Sequence, residues 1–190
     1  MNTKQYMVFD ISCMAILAVV TELFGYFALR RYPGAGFTLS LSLLVTVIAM
    51  IRWGVWGSLV YLASNIALLA VHVGEKPLPF LILFYPVAGL FVAAAALAFL
   101  VKPRNGIKAD KLWFVLFQAG IFILAALGRG IATLIYGEGF LNGVISFWLN
   151  NTFSMVATVI ISLFLLKRDG LITDMTVFDP VSAEPEEPLG

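Results

Sequence analysis

The side chains able to do chemistry in this chain are few, and each is set in apolar sequence. Arg129 lies between two glycines in ILAALGRGIATLIY, residues 123–136. Glu22 interrupts the first apolar run, Asn65 and His72 the third, Tyr85 the fourth, and Asn150 and Asn151 the last. A desolvated guanidinium holds carboxylate or phosphate through a forked, charge-assisted hydrogen bond. The two asparagines offer donors and acceptors to a polar ring or amide. Tyr85, Tyr136, Phe147 and Trp148 are of the type that stacks on planar molecules. This is recognition chemistry. Catalysis would call for paired acids, histidines or a nucleophile at close spacing. The chain has 1 His and 1 Cys, and Cys13 reads as a packed thiol. No phosphate loop, zinc-type cluster or triad-like grouping occurs in the sequence, so no catalysis, cofactor or metal site is expected.

The elements that must position these groups are membrane helices. Of 190 residues, 61% are hydrophobic and 12% charged, where soluble domains carry about a quarter charged residues. Spanning a bilayer takes roughly 20 apolar residues. Six segments approach that length: 8–29, 37–51, 54–73, 79–101, 112–135 and 144–166. The second and third are separated only by IRWG and read as a tight hairpin. The expected fold is an all-α integral membrane protein, a six-helix bundle over residues 1–168. The acidic, Pro-containing segment 169–190 cannot bury a core and is expected to be a disordered tail. The amino terminus reads as a mature helix and no cleavable signal, since Lys4 is its only early base and Asp10 interrupts it.

Basic residues choose the side. With the amino terminus inside, Lys4, Arg52, Lys102, Arg104, Lys108, Lys111, Lys167 and Arg168 are cytoplasmic. Only Arg30, Arg31 and Lys76 are outside, which favours both termini in the cytoplasm. Each polar group then has a depth. Arg129 lies six residues from the outer end of its span, roughly 9 Å down at about 1.5 Å per residue. Glu22, Tyr85, Asn150 and Asn151 fall at a similar depth on other helices, with His72 at the outer tip of the third span. Polar groups within spans face the bundle interior or a wet cavity. A polar pocket beneath the outer face is therefore expected, lined by Arg129, Asn150, Asn151, Glu22, Tyr85, Tyr136, Trp148 and His72. Glu22 either pairs with Arg129 or meets a ligand. Gly128 and Gly130 are read as leaving a ligand room beside the guanidinium. The loop RRYPGAGF, with Pro33, Gly34 and Gly36, is the candidate lid. Ser146, Ser154, Thr158 and Ser162 form a stripe with Asn150 along the last span and are read chiefly as packing residues.

The run MAILAVVTELFGYFALRRYPGAGFTLSLSLLVTVIAMIRWGVWGSLVYLASNI, residues 14–66, resembles the opening of a substrate-binding S component of energy-coupling factor (ECF) vitamin transporters. Its small residues Ala15 and Ala18, the Pro33-Gly34 loop, Ser40 and Ser42, and the Arg52-Trp53-Gly54 hairpin carry the likeness. The family often has alanines four apart on its first helix for docking to the coupling subunit. Here Ser12, Ala15 and Ala18 stand three apart, and they are the candidate docking stripe. The resemblance implies a bacterial, multi-pass cell-membrane protein that captures a vitamin-like molecule on the outer side. It implies delivery by toppling on a membrane coupling subunit driven by two ATPase subunits, with no nucleic-acid partner. The rival from the sequence is a six-span scaffold of cell-envelope machinery, like the MreD-type rod-shape proteins. A membrane-embedded enzyme and a stand-alone channel or exporter rank below both.

Overall fold

A computed structural model of the chain describes residues 3–31, 39–167, 172, 174 and 175. These form an all-α bundle of the kind that crosses membranes. Its helices are α1 (Thr3–Arg31), α2 (Ser42–Trp53), α3 (Ser58–His72), α4 (Leu78–Val101), α5 (Arg104–Ala109), α6 (Lys111–Ile135) and α7 (Phe140–Leu165). At about 1.5 Å per residue, α1, α4, α6 and α7 each exceed the roughly 30 Å of a hydrocarbon core. With 12 and 15 residues, α2 and α3 do not. The two fall short because Gly54, at φ 64, ends α2 in a conformation that favours glycine. The start of α3 then folds back so tightly that a Cβ on Gly57 would meet the backbone of Ala49 and Met50. The hairpin expected about IRWG is present.

Chain direction follows from contacts. At one end of the bundle, Arg52 Nε and Trp53 Nε1 donate to Asp10 Oδ2 at 2.8 and 2.6 Å. Toward the other end, Ser42 meets Glu22 and His72 meets Tyr26. Thus α2 runs antiparallel to α1, and α3 returns alongside both. Eleven of the twelve α2 residues are buried, so this short helix is the bundle's axis. Around it lies a packed core that includes Met50, Ile51, Phe114, Ile121 and Phe122. Because α2 begins level with Glu22, nine residues before α1 ends, it leaves about 13 Å of bundle unfilled above its first turn.

Three residues of the segment read from the sequence as a disordered tail are seated on the bundle. Ile172 is fully buried in the main core, and Asp174 pairs with Arg104 at 3.0 Å. The Met175 N–H donates to the Arg52 carbonyl at 3.1 Å. An aliphatic side chain with a hole to fill and a carboxylate with a partner suffice to hold them. Arg168 and the remainder of 169–190 lie outside the described residues.

Candidate ligand-binding site

The space above α2 is a cavity of about 240 Å³. Six of the eight residues expected in it are there: Glu22, His72, Tyr85, Arg129, Asn150 and Asn151. They come from α1, α3, α4, α6 and α7, so the shared depth legible in the sequence corresponds to one shared volume. Tyr136 is not among them. It caps α6 at the bundle's end, 39% exposed, with its ring edge-on to Phe80 at 4.9 Å. Nor is Trp148, which packs half-buried on the main core on another side of α7. The candidate lid residues Pro33, Gly34 and Gly36 lie outside the described residues.

Arg129 is 7% exposed. Its Nη2 donates to Asn65 Oδ1 at 2.6 Å, and its Cζ stands 4.3 Å from the Phe84 ring centroid and 4.4 Å from that of Tyr85. Phe84 and Tyr85 are consecutive, on a π-helical turn spanning Leu83–Val87 that contains Pro86. Proline has no N–H to donate and crowds the carbonyl four residues back, so the turn widens. Widening brings both neighbouring rings to the same cation.

The expected room beside Arg129 is not what its glycines provide. A Cβ on Gly128 would collide with the backbone of Ala88 on α4. One on Gly130 would lie 2.7 Å from the side chains of Phe140 and Val144 on α7. Both glycines let helices approach α6 closely, and that approach fixes where the guanidinium stands.

Glu22 has other partners. The hydroxyls of Ser40 and Ser42 both donate to its Oε2, at the first turn of α2 where unpaired amides carry partial positive charge. The Ser40 N–H in turn donates to Ser154 Oγ at 2.9 Å, which ties the start of α2 to α7. Among the described residues no ion pair joins Glu22 to Arg129, and segment 32–38 contains no acidic residue. Among the described residues, the Arg129 charge is thus buried against an amide oxygen and two ring faces, and without a carboxylate. Elsewhere on the serine stripe, Ser162 donates to Gln118 Oε1 at 3.1 Å, a packing contact between α7 and α6.

Several wall residues were not singled out as ligand contacts from the sequence: Tyr26, Ser40, Ser42, Tyr61, Asn65 and Phe84. Signals existed for three of them. Asn65 shares a helical face with His72, Tyr26 falls one turn after Glu22, and Phe84 lies two residues before a proline inside an apolar run. The Tyr26 hydroxyl is buried with no hydrogen-bond partner among the described residues. At the mouth, the His72 ring lies between Tyr26 and Tyr85, with centroids 4.9 and 5.1 Å away. Its Nδ1 is 2.7 Å from the Leu68 carbonyl, and its Nε2 is 3.9 Å from Glu75. A second cavity of about 280 Å³ shares His72, Phe84, Tyr85 and Ser146 with the first, and Glu75, Lys76 and Glu138 also line it. There Lys76 and Glu138 pair at 3.1 Å, joining the α3–α4 and α6–α7 loops.

The candidate docking stripe is not one surface. Ser12 is exposed, Ala15 partly buried and Ala18 fully buried against the α2–α3 hairpin. Each step of three residues turns a helix by about 300°, so three positions sweep from lipid to core. Ala18 is thus unavailable to another subunit.

No protein-family model matches this chain, nor does any curated protein or solved structure.

Proposed function

We propose that this chain is a solute-binding membrane subunit, the S component of an ECF-type importer, which captures a small, planar, polar molecule carrying an anionic group. One observation carries the reading: Arg129 is a buried cation that has no carboxylate partner among the described residues and lines a cavity. A charge removed from water is costly unless it is paired. Structural arginines are therefore paired within the protein, as Arg52 is with Asp10. An arginine with no carboxylate among the described residues, beside a cavity, is suited to take its counter-charge from a ligand. The aromatic walls suit a planar body, and about 240 Å³ suits a molecule below drug size.

Below the cavity, Met50, Ile51, Ile121 and Phe122 are at most 1% exposed. A solute resting on that floor has no path through this bundle, so delivery requires movement against partners. The resemblance of residues 14–66 to S components supplies such partners: a membrane coupling subunit and two ATPase subunits, with ATP hydrolysis belonging to them. The basic residues that collect at the Arg52 end support a cytoplasmic position for that end and, on this reading, a cavity that faces the outside of a bacterial cell. The test is isolation of the tagged chain from its own membranes in mild detergent. A second membrane subunit and two ATPases are expected to accompany it. Recovery with cell-elongation proteins and no ATPase would instead support a scaffold of the MreD type.

A further inference from the structure

The geometry points to a zwitterion as the ligand of this cavity, a molecule with its anionic group on Arg129 and a protonated nitrogen on Glu22. The inference rests on the reading of the cavity as a binding site and adds the second pole of its occupant. Two formally charged side chains line the cavity, one of each sign: Glu22 on α1 and Arg129 on α6. At the mouth, His72 Nε2 stands 3.9 Å from Glu75. Glu22 and Arg129 do not neutralise each other, since each is held by its own neutral partners. Ser40 and Ser42 hold Glu22, and Asn65 holds Arg129.

The serine bonds orient the Glu22 side chain and leave acceptor positions open. Both converge on Oε2, while a carboxylate offers about four acceptor positions over its two oxygens. In a low-dielectric pocket, a ligand with only an anion would satisfy Arg129 and be repelled by Glu22. A ligand with only a cation would do the reverse. A molecule carrying both charges, and no net charge, satisfies both walls at once. The rings of Tyr61 and Tyr85 line the same cavity and suit an aromatic body joining the two charges.

The test uses the full chain in lipid nanodiscs and three probes with one phenyl ring and similar length: L-phenylalanine, 3-phenylpropionate and phenethylamine. Binding is read by titration calorimetry. L-Phenylalanine is expected to bind at least tenfold more tightly than either singly charged analogue. Glu22→Gln, which keeps an acceptor for both serines, should cost L-phenylalanine at least tenfold and leave 3-phenylpropionate unchanged or more tightly bound. Equal binding of L-phenylalanine and 3-phenylpropionate by the wild-type chain would overturn the zwitterion, as would failure of all three to bind. If 3-phenylpropionate binds as well as L-phenylalanine, depends on Arg129 and ignores Glu22, the zwitterion falls while anion capture stands.

Discussion

Arg129 donates to the side-chain oxygen of Asn65 at 2.6 Å, across 64 positions of sequence, and makes no ion pair with Glu22. In a bundle with one acid and one base at the same depth, pairing them would be the ordinary economy. Here each is held apart by neutral groups, and a cavity lies between the elements that carry them.

Replacing Arg129 by Gln should weaken binding of an anionic ligand by tenfold to about a hundredfold. A hydrogen bond to a charged group is worth about 1.5–3 kcal/mol, and each 1.4 kcal/mol is about tenfold. The purified variant should remain monodisperse on size exclusion. Arg129→Lys should recover only part of the loss, because an ammonium lacks the planar fork. Unchanged affinity in Arg129→Gln would remove this residue from the site.

Tyr26→Phe separates binding from folding. Its hydroxyl is buried without a partner among the described residues, and an unsatisfied buried hydroxyl costs about 1–3 kcal/mol. The variant should melt at the same temperature as wild type or higher, while its ligand affinity falls by about threefold to tenfold. A lowered melting temperature with unchanged affinity would show that the hydroxyl serves the fold alone.

Gly128→Ala should destabilise the protein by about 1–3 kcal/mol through overpacking against Ala88. Gly120→Ala, where an added Cβ meets nothing within 4 Å, is the matched control and should be neutral or mildly stabilising. Thermal melts in one detergent compare the two. Equal melting temperatures would contradict the close approach of α4 and α6.

The helices were legible because long apolar runs in a membrane protein have few alternatives, and the cavity because a polar group in a span must face inward. That argument found Glu22, Tyr85, Arg129 and the two asparagines. It failed for Trp148 and Tyr136 because an aromatic ring is at home on either side of a span: Trp148 packs on the main core, and Tyr136 lies past the end of α6 against Phe80. Glycines beside a buried arginine are ambiguous in sequence: room for a ligand and room for a helix leave the same trace. The hold of Ser40 and Ser42 on Glu22 depends on where α2 begins. The short α2 was expected as a span, but its depth relative to α1 is a tertiary fact.

At the opposite end, Asp110 links pH to stability. Its carboxylate accepts from Lys102 Nζ at 2.8 Å and from the N–H groups of Leu112 and Trp113, capping α6. The Lys102 bond foremost, with the two amides adding, holds its carboxyl below the ordinary value of 3.8. A depressed carboxyl stabilises the fold above the unfolded value, and the benefit is lost as pH falls through the folded one. Wild type should therefore melt above Asp110→Asn at pH 7, with the gap closing as pH drops below 3.8. A gap that persists in full at pH well below 3.8 would contradict the charge-based hold.

The central claim, that Arg129 receives its missing counter-charge from a small molecule, is tested most directly by native mass spectrometry of the chain released from its own membranes. The wild-type protein should carry a stoichiometric small-molecule adduct whose identified structure bears an anionic group, and Arg129→Gln should lose it. A wild-type protein with no adduct, or an adduct retained equally by Arg129→Gln, would contradict the account.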